Sequence, residues 1–232
     1  VYKRQGAIER SIAFGGNDRP GVMSVNAGRA YLNRYGILPG QRIVIATNND
    51  SAYPAARSLS KAGAEVTLVD ARATSAPSLP DGVRHDKGYA PLRTFGWKNL
   101  SGVQLAEQSE AGWHAAQKLD CDLLLVSGGW SPVVNLSSNR GAAPGWNSEN
   151  ACFLPTPATE PLFSAGAACG IWQNAACEAS GVAAAQSALG EPAHPPKPGG
   201  WENPIQPIYE VRLPEQNAKS FVDFQNDVTS SD

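Results

Sequence analysis

Arg42-Ile-Val-Ile-Ala-Thr-Asn-Asn-Asp-Ser-Ala-Tyr-Pro-Ala-Ala-Arg-Ser-Leu-Ser-Lys-Ala-Gly-Ala-Glu-Val-Thr-Leu-Val-Asp70 reads as strand, helix, strand. Ile43 to Ala46 is an apolar run of strand length, and Glu65 to Asp70 supplies a second one. Between them Asp50 to Ala62 carries helical character until Gly63 ends it. A β-α-β unit of about 30 residues is the size expected of half a Rossmann-type domain. The fold class that follows is α/β.

A working dinucleotide turn places G-x-G-x-x-G after the first strand, and an acidic residue about 20 positions later meets the ribose hydroxyls. Asp70 stands where that acid belongs, but the turn reads Thr47-Asn48-Asn49-Asp50-Ser51-Ala52 and has no glycine. Without glycines the backbone cannot approach a pyrophosphate closely. Asp50 is expected to cap the helix and to set a negative charge where phosphate would sit. The unit reads as a Rossmann shell that has lost its nucleotide.

Working outward, Asn17-Asp-Arg-Pro-Gly-Val22 is a turn cluster. Ser24 to Tyr35 has helical character and is stopped by Gly36 and Pro39-Gly40. From Gly82 to Glu107 short strands and turns suit a β-meander. Ser109 to Leu119 fits a linker or a short helix equally.

Two matched segments follow. Asp122-Leu-Leu-Leu-Val-Ser-Gly-Gly-Trp-Ser-Pro132 and Pro161-Leu-Phe-Ser-Ala-Gly-Ala-Ala-Cys-Gly170 each read as an apolar strand ending in a glycine turn. The second leads into a helix over Asn174 to Leu189. Such turns bring backbone N–H groups close to a ligand and suit a pyrophosphate. With the turn at Gly6 they make Gly6, Ala7, Ser127, Gly128, Gly166 and Ala167 the candidate dinucleotide contacts. Each glycine turn taken alone is also an ordinary tight turn.

Charged residues are 17% of the 232 and the formal net charge is -2, which gives no electrostatic case for nucleic acid or an anionic membrane. No apolar run reaches the roughly 20 residues that span a bilayer, so a soluble, cytoplasmic protein is expected. Cys121, Cys152, Cys169 and Cys177 have no metal-like spacing with His85, His114 and His194, and read as buried, reduced thiols. No catalytic constellation emerges. Glu9 and Arg10 fit a surface ion pair, and Trp130 and Trp172 fit core positions better than cofactor stacking. Val1-Tyr-Lys-Arg-Gln5 is a basic, polar pentapeptide where a buried strand should be, and reads as foreign to the protein. The loop from Asn135 to Pro161 and the proline-rich tail after Gly190 are expected to be contact surfaces.

Several stretches together resemble one family, the alpha subunit of heterotetrameric sarcosine oxidase. They are Gly6-Ala-Ile-Glu-Arg10, Asn17-Asp-Arg-Pro-Gly-Val-Met23, Tyr31-Leu-Asn-Arg-Tyr-Gly36, Thr47-Asn-Asn-Asp50, Ser127-Gly-Gly-Trp-Ser-Pro132, Ser164-Ala-Gly-Ala-Ala168 and Phe221-Val-Asp-Phe-Gln-Asn-Asp-Val-Thr229. Related flavoproteins carry an Asp where Ala167 stands; the Ala agrees with this family. The resemblance implies two nested Rossmann-like domains of the glutathione-reductase type. Residues 6–22 and 117–190 would be an N-terminally truncated outer domain, 23–116 a degenerate inserted domain, and 191–232 an extension towards a C-terminal domain. It implies oxidative demethylation of sarcosine to glycine with hydrogen peroxide production, the one-carbon unit leaving as formaldehyde or passing to tetrahydrofolate. NAD would belong to the outer domain. FAD, FMN and the beta, gamma and delta subunits would belong to the complex, and tetrahydrofolate to the C-terminal domain. As an internal fragment the chain is expected to bind NAD weakly at most and to oxidise nothing by itself. A related amine or opine oxidase subunit, or a non-catalytic nucleotide-binding scaffold, are the alternatives. The opine relatives often carry a cysteine cluster that is absent between Gly190 and Asp232.

Overall fold

The computed structural model describes residues 6–74, 77–110, 112–139, 141–156, 162–214 and 218–232. Val1 to Gln5, read above as foreign, and Pro161 lie outside the described residues. In chain order the strands and helices are β1 (Ala7–Glu9), β2 (Val22–Ser24), α1 (Val25–Tyr35), β3 (Arg42–Thr47), α2 (Tyr53–Lys61), β4 (Glu65–Asp70), β5 (Arg84–Lys87), β6 (Tyr89–Phe95), β7 (Gly102–Ser109), β8 (Gly112–Asp120), β9 (Leu123–Ser127), β10 (Trp130–Pro132), α3 (Asn135–Ser138), β11 (Gly145–Asn147), β12 (Cys152–Leu154), α4 (Asn174–Ala188), β13 (Phe221–Asp223) and β14 (Val228–Thr229). The chain divides into two compact units. Unit 1 comprises the described residues of Val1–Glu9 and Trp130–Ile205, and unit 2 those of Arg10–Gly129 and Gln206–Asp232.

Unit 2 is built on a parallel sheet of order β2-β9-β3-β4-β5. It has the mixed α/β, Rossmann-like character expected from the Arg42–Asp70 stretch. Alternate residues of the central strands face opposite sides. Ile43, Ile45, Leu68, Leu123 and Leu125 pack with Val25, Tyr53 and Leu59 of the two helices. Val44, Ala46, Val69, Leu124 and Val126 pack with Leu92, Val103 and Leu105 of the antiparallel β6-β7-β8 sheet and with Ile208 and Val211 of the tail. A sheet covered on both faces needs apolar residues at consecutive positions, which is why β3 and β9 read as unbroken apolar runs. Each fully buried side chain of this size contributes about 1.5–3 kcal/mol relative to exposure.

The helices begin and end where their local chemistry dictates. The Ser24 hydroxyl accepts the Ala27 N–H at 3.2 Å, and Gly36 closes α1 in the left-handed region at φ 67°. Gly28 lets α1 lie close against β9, since a Cβ there would meet Leu125 Cδ1 at 2.7 Å. On α2, Tyr53, Ala55, Ala56 and Leu59 are buried on one face of the helix.

Several expectations are corrected. β5 pairs parallel with β4, so the antiparallel meander begins only at β6. Ser109 to Leu119 is chiefly strand β8, neither linker nor helix. The segment before Gly166 forms no strand among its described residues, 162–165. The Asn135–Pro161 loop contains α3 and the β11-β12 hairpin. The partition by contact also differs from the boundaries read from sequence, because β9 hydrogen-bonds between β2 and β3 and so belongs to unit 2.

Candidate functional site

In an open parallel α/β sheet, ligands bind outside the carboxyl ends of the strands. At that edge of unit 2 the turn after β3 is closed upon itself. Thr47 Oγ1 donates to the Asn49 carbonyl at 3.0 Å and accepts the Asn49 N–H at 3.2 Å. Asn49 Oδ1 accepts from the Ser51 N–H at 3.0 Å, and Asn49 Nδ2 donates to the Ser127 carbonyl at 3.3 Å. Asn48 Nδ2 donates to the Gln206 carbonyl at 2.8 Å, while the Gln206 N–H donates to the Asn48 carbonyl at 3.1 Å. The tail thus lies against this turn, within the same unit.

Asn49, not Asp50, is the capping residue. The Asp50 carboxylate instead takes the Arg72 guanidinium, Nη1 to Oδ1 at 2.7 Å. The same guanidinium grips Asp70, with Nη2 to Oδ2 at 2.7 Å and Nε to Oδ1 at 3.0 Å, and the Arg72 N–H adds a 2.9 Å bond to Oδ1. Tyr53 donates its hydroxyl to Asp70 Oδ2 at 2.7 Å, and His85 Nε2 lies 3.1 Å from the same hydroxyl. Because the single phenolic proton goes to the carboxylate, His85 donates from Nε2. Asp70 is 0% exposed and Arg72 4%. Burial opposes the charge on Arg72, but hydrogen bonds to Asp70 and then Asp50 outweigh it, and its pKa rises. Burial first, and the bond to Asp70 next, hold the Tyr53 hydroxyl above its ordinary range. Burial first, and Lys87 next, push His85 down. The arrangement holds charges in place and offers none to a ligand.

Beside it is a cavity of about 490 Å³ lined by Ala71, Ala73, Gly88, Gln108, Ser109, Glu110 and Gln206. Ala71 and Ala73 border it while Arg72 between them is buried. Gln206 Nε2 donates to Gln108 Oε1 at 2.7 Å.

The six candidate contacts fall in both units. Ser127 is fully buried, its hydroxyl 3.3 Å from Asn49 Nδ2. Gly128 is glycine for packing reasons, since a Cβ would meet the Ser11 carbonyl oxygen at 2.7 Å. In unit 1, Gly6 and Ala167 are brought together: a Cβ on Gly6 would be 3.6 Å from Ala167 Cβ. Ala7 pairs with Pro132 in the β1-β10 ribbon. Gly166 has φ 66° and donates its N–H to Ser180 Oγ at 2.8 Å. Gly170 closes the turn in the left-handed region, and α4 starts without a side-chain cap.

Sequence reading missed Arg72, Tyr53 and His85. The signal was present in the Asp70-x-Arg72 spacing beside a turn that had replaced glycine with Asp50. Trp130 and Trp172 are half-buried, not core residues. None of the four cysteines is in a disulfide, and Cys169 and Cys177 are only half-buried. Burial pushes the Cys121 thiol up to about 12. Among the described residues no cluster of His, Cys, Asp and Glu could hold a metal, and no helix is long and apolar enough to cross a membrane.

No protein-family model matches the chain. The fold is similar to that of L-proline dehydrogenase from P. horikoshii, with TM-score 0.57 and 18% identity over 82% of this chain and 34% of that one. It is also similar to T. acidophilum thioredoxin reductase, with TM-score 0.52 and 13% identity over 79% of this chain and 64% of that one. These likenesses concern the fold: a Rossmann-like α/β fold of the kind found in dehydrogenases and reductases. Two sequence relatives narrow the class. The sarcosine oxidase subunit alpha of Rhizobium meliloti (strain 1021) is 35% identical over 237 residues, 98% of this chain and 23% of the relative. That of Corynebacterium sp. (strain P-1) is 36% identical over 252 residues, 100% of this chain and 26% of the relative. Over the segment it matches, the chain belongs to the sarcosine oxidase alpha-subunit family. It spans about a quarter of the length of those relatives.

Proposed function

We propose that the chain is part of the alpha subunit of a flavin-dependent amine oxidase of the sarcosine oxidase type, supplying a dinucleotide-binding surface and a scaffold for other subunits. The observation that carries this reading is the match to sarcosine oxidase alpha subunits over 98% and 100% of the chain. The reaction of the whole assembly is oxidative demethylation of a secondary amine. The amine gives up two electrons to become an imine; water then adds and the C–N bond breaks to release formaldehyde, or the one-carbon unit passes to tetrahydrofolate. Oxygen takes the electrons and becomes hydrogen peroxide. FAD, FMN and tetrahydrofolate are assigned to the assembly outside this chain, and the beta, gamma and delta subunits are its partners. The β11-β12 region and the proline-rich segment are the surfaces offered to them. The assembly is placed in the cytoplasm.

NAD is assigned to the glycine turns of unit 1, at Gly6, Ala7, Gly166 and Ala167. The residues there fit a phosphate: small side chains meet at Gly6 and Ala167, and α4 begins without a side-chain cap, leaving backbone donors for an anion. Bound NAD brings a hydride carrier or a structural anchor; this chain's part is to hold it. Ser127 and Gly128, whose surroundings are internal to unit 2, are left out of this assignment.

The test is to purify the longer parent protein with its co-purifying subunits. Peroxide production is then measured with sarcosine and with opines, and acid-released nucleotides are identified. Sarcosine-dependent peroxide with NAD released is the expected result. A preparation without flavin that leaves sarcosine untouched would overturn the reading.

A further inference from the structure

We propose that Arg72 serves as an internal substitute for a nucleotide in unit 2, its guanidinium filling the carboxyl-edge crevice and excluding dinucleotides. Three observations converge on it. The acid that would meet a ribose, Asp70, has both oxygens engaged: Oδ1 by the Arg72 N–H and Nε, and Oδ2 by Arg72 Nη2 and the Tyr53 hydroxyl. Asp50, which stands in the turn where phosphate would be received, is held by the third corner of the same guanidinium at 2.7 Å. The turn's own N–H groups at Asn49 and Ser51 are taken by Thr47 Oγ1 and Asn49 Oδ1, so they are not offered outward.

Chemistry explains why arginine suits this place. Its planar guanidinium presents five donors in a fixed fork, enough to bridge two carboxylates at once. Two buried carboxylates without such a bridge would repel each other and pay the full cost of desolvation. A dinucleotide entering here would have to displace the guanidinium and would then bring more negative charge to Asp50. Exclusion therefore follows from the same contacts that hold the turn after β3 to the end of β4. Whatever dinucleotide the chain binds is bound outside this crevice.

The experiment uses the 232-residue chain, isotopically labelled, and follows its backbone amides and arginine side chains by NMR while NAD or ADP is added to millimolar concentration. The amides of residues 47–52 and 70–72 are expected to stay in place. The Arg72 side-chain N–H signals are expected to be sharp and slowly exchanging. Shifts in those amides, or an Arg72 signal broadened by free motion, overturn the proposal. A double variant, Asp50→Gly with Arg72→Ser, frees Asp70 and opens the turn; it should gain saturable shifts with ADP at residues 47–52. A folded double variant that gains none shows that Arg72 is not what excludes the nucleotide. If the double variant does not fold, the two measurements on the unaltered chain still decide. Failure here would relocate the dinucleotide and leave the oxidase reading, tested by peroxide production, untouched.

Discussion

Unit 2 and unit 1 are made from one chain by different means. Unit 2 has two apolar layers, one on each face of its parallel sheet, and its largest buried side chains include Phe14, Ile45, Tyr53, Leu68 and Leu125. No described residue of unit 1 belongs to either layer. Among the described residues its buried apolar side chains are small ones such as Ala142, Ala151 and Ala183, with Ile171 the largest of them. Several of its large ones lie in solvent: Ile8, Trp146, Phe153, Val182 and Leu189 are all more than half exposed. A domain normally draws its net stability from apolar burial. Unit 2 follows that rule, while unit 1 is held by backbone ribbons, turns and one small-residue helix. The difference separates folding from recognition: unit 2 carries the stability, and unit 1 presents apolar surface.

The sharpest way to break this comparison is to truncate the core of unit 2. Leu125→Ala removes a side chain that packs beneath Gly28 of α1. It should cost about 2–5 kcal/mol, as buried Leu→Ala changes do when the site cannot collapse. Urea unfolding followed by far-UV circular dichroism should show the midpoint fall. A change below about 1 kcal/mol would mean that the two layers of unit 2 are not its source of stability.

The next largest effect tests the polar part of unit 2. Tyr53→Phe keeps the ring among Ile45, Leu59 and Leu68 but deletes the donor to Asp70 and the acceptor for His85. A loss of about 1–3 kcal/mol is expected, since a buried carboxylate is left with one donor fewer. An unchanged urea midpoint would show that Arg72 alone satisfies Asp70.

How much of this was legible in the sequence follows the same division. The boundaries of β3 and β4 and the Ser24 and Gly36 caps were readable, because consecutive apolar residues and cap chemistry are local signals. The loss of the nucleotide turn was readable too, from Asn48, Asn49 and Asp50. The pairing of Asp50 with Arg72 was harder to see: the Asp70-x-Arg72 spacing was there to be read, but Arg72 meets Asp50 only after the chain has crossed α2 and β4, and pairings of that separation leave no periodic trace. The strand expected before Gly166 failed because Leu162 and Phe163 are apolar but face solvent, and an apolar run signals a strand only where something buries it. β8 stayed undecided because Gly112-Trp-His-Ala-Ala-Gln-Lys118 runs without regular apolar–polar alternation.

A smaller effect comes from pH. His85 has its folded pKa lowered by burial first and by Lys87 next, while Asp70 and Asp86 oppose the shift. A histidine with a depressed pKa in the folded state takes up its proton more readily when unfolded. Stability is therefore unaffected above the unfolded value near 6.5, and falls as pH drops from there to the folded pKa. His85→Gln should flatten the urea midpoint across that window. A slope that persists in the variant would assign it to another group.

The smallest effect belongs to unit 1 and sharpens the comparison most directly. Leu189 closes α4 and is 75% exposed, so Leu189→Ser removes an apolar side chain that the chain does not bury. The expected change in stability is within about 0.5 kcal/mol, the usual range for exposed positions. The same substitution should reduce binding of a hydrophobic dye, because less apolar surface faces solvent. Hydrogen exchange provides the companion measurement. Amides of β3 should exchange only on global unfolding of unit 2, whereas those of α4 should exchange through local opening, and faster. In α4 only Ser180 and Ala183 are buried, so little apolar contact resists that opening. If Leu189→Ser lowered the unfolding midpoint and α4 exchanged as slowly as β3, unit 1 would possess a core of its own, and the contrast between the two units would fail.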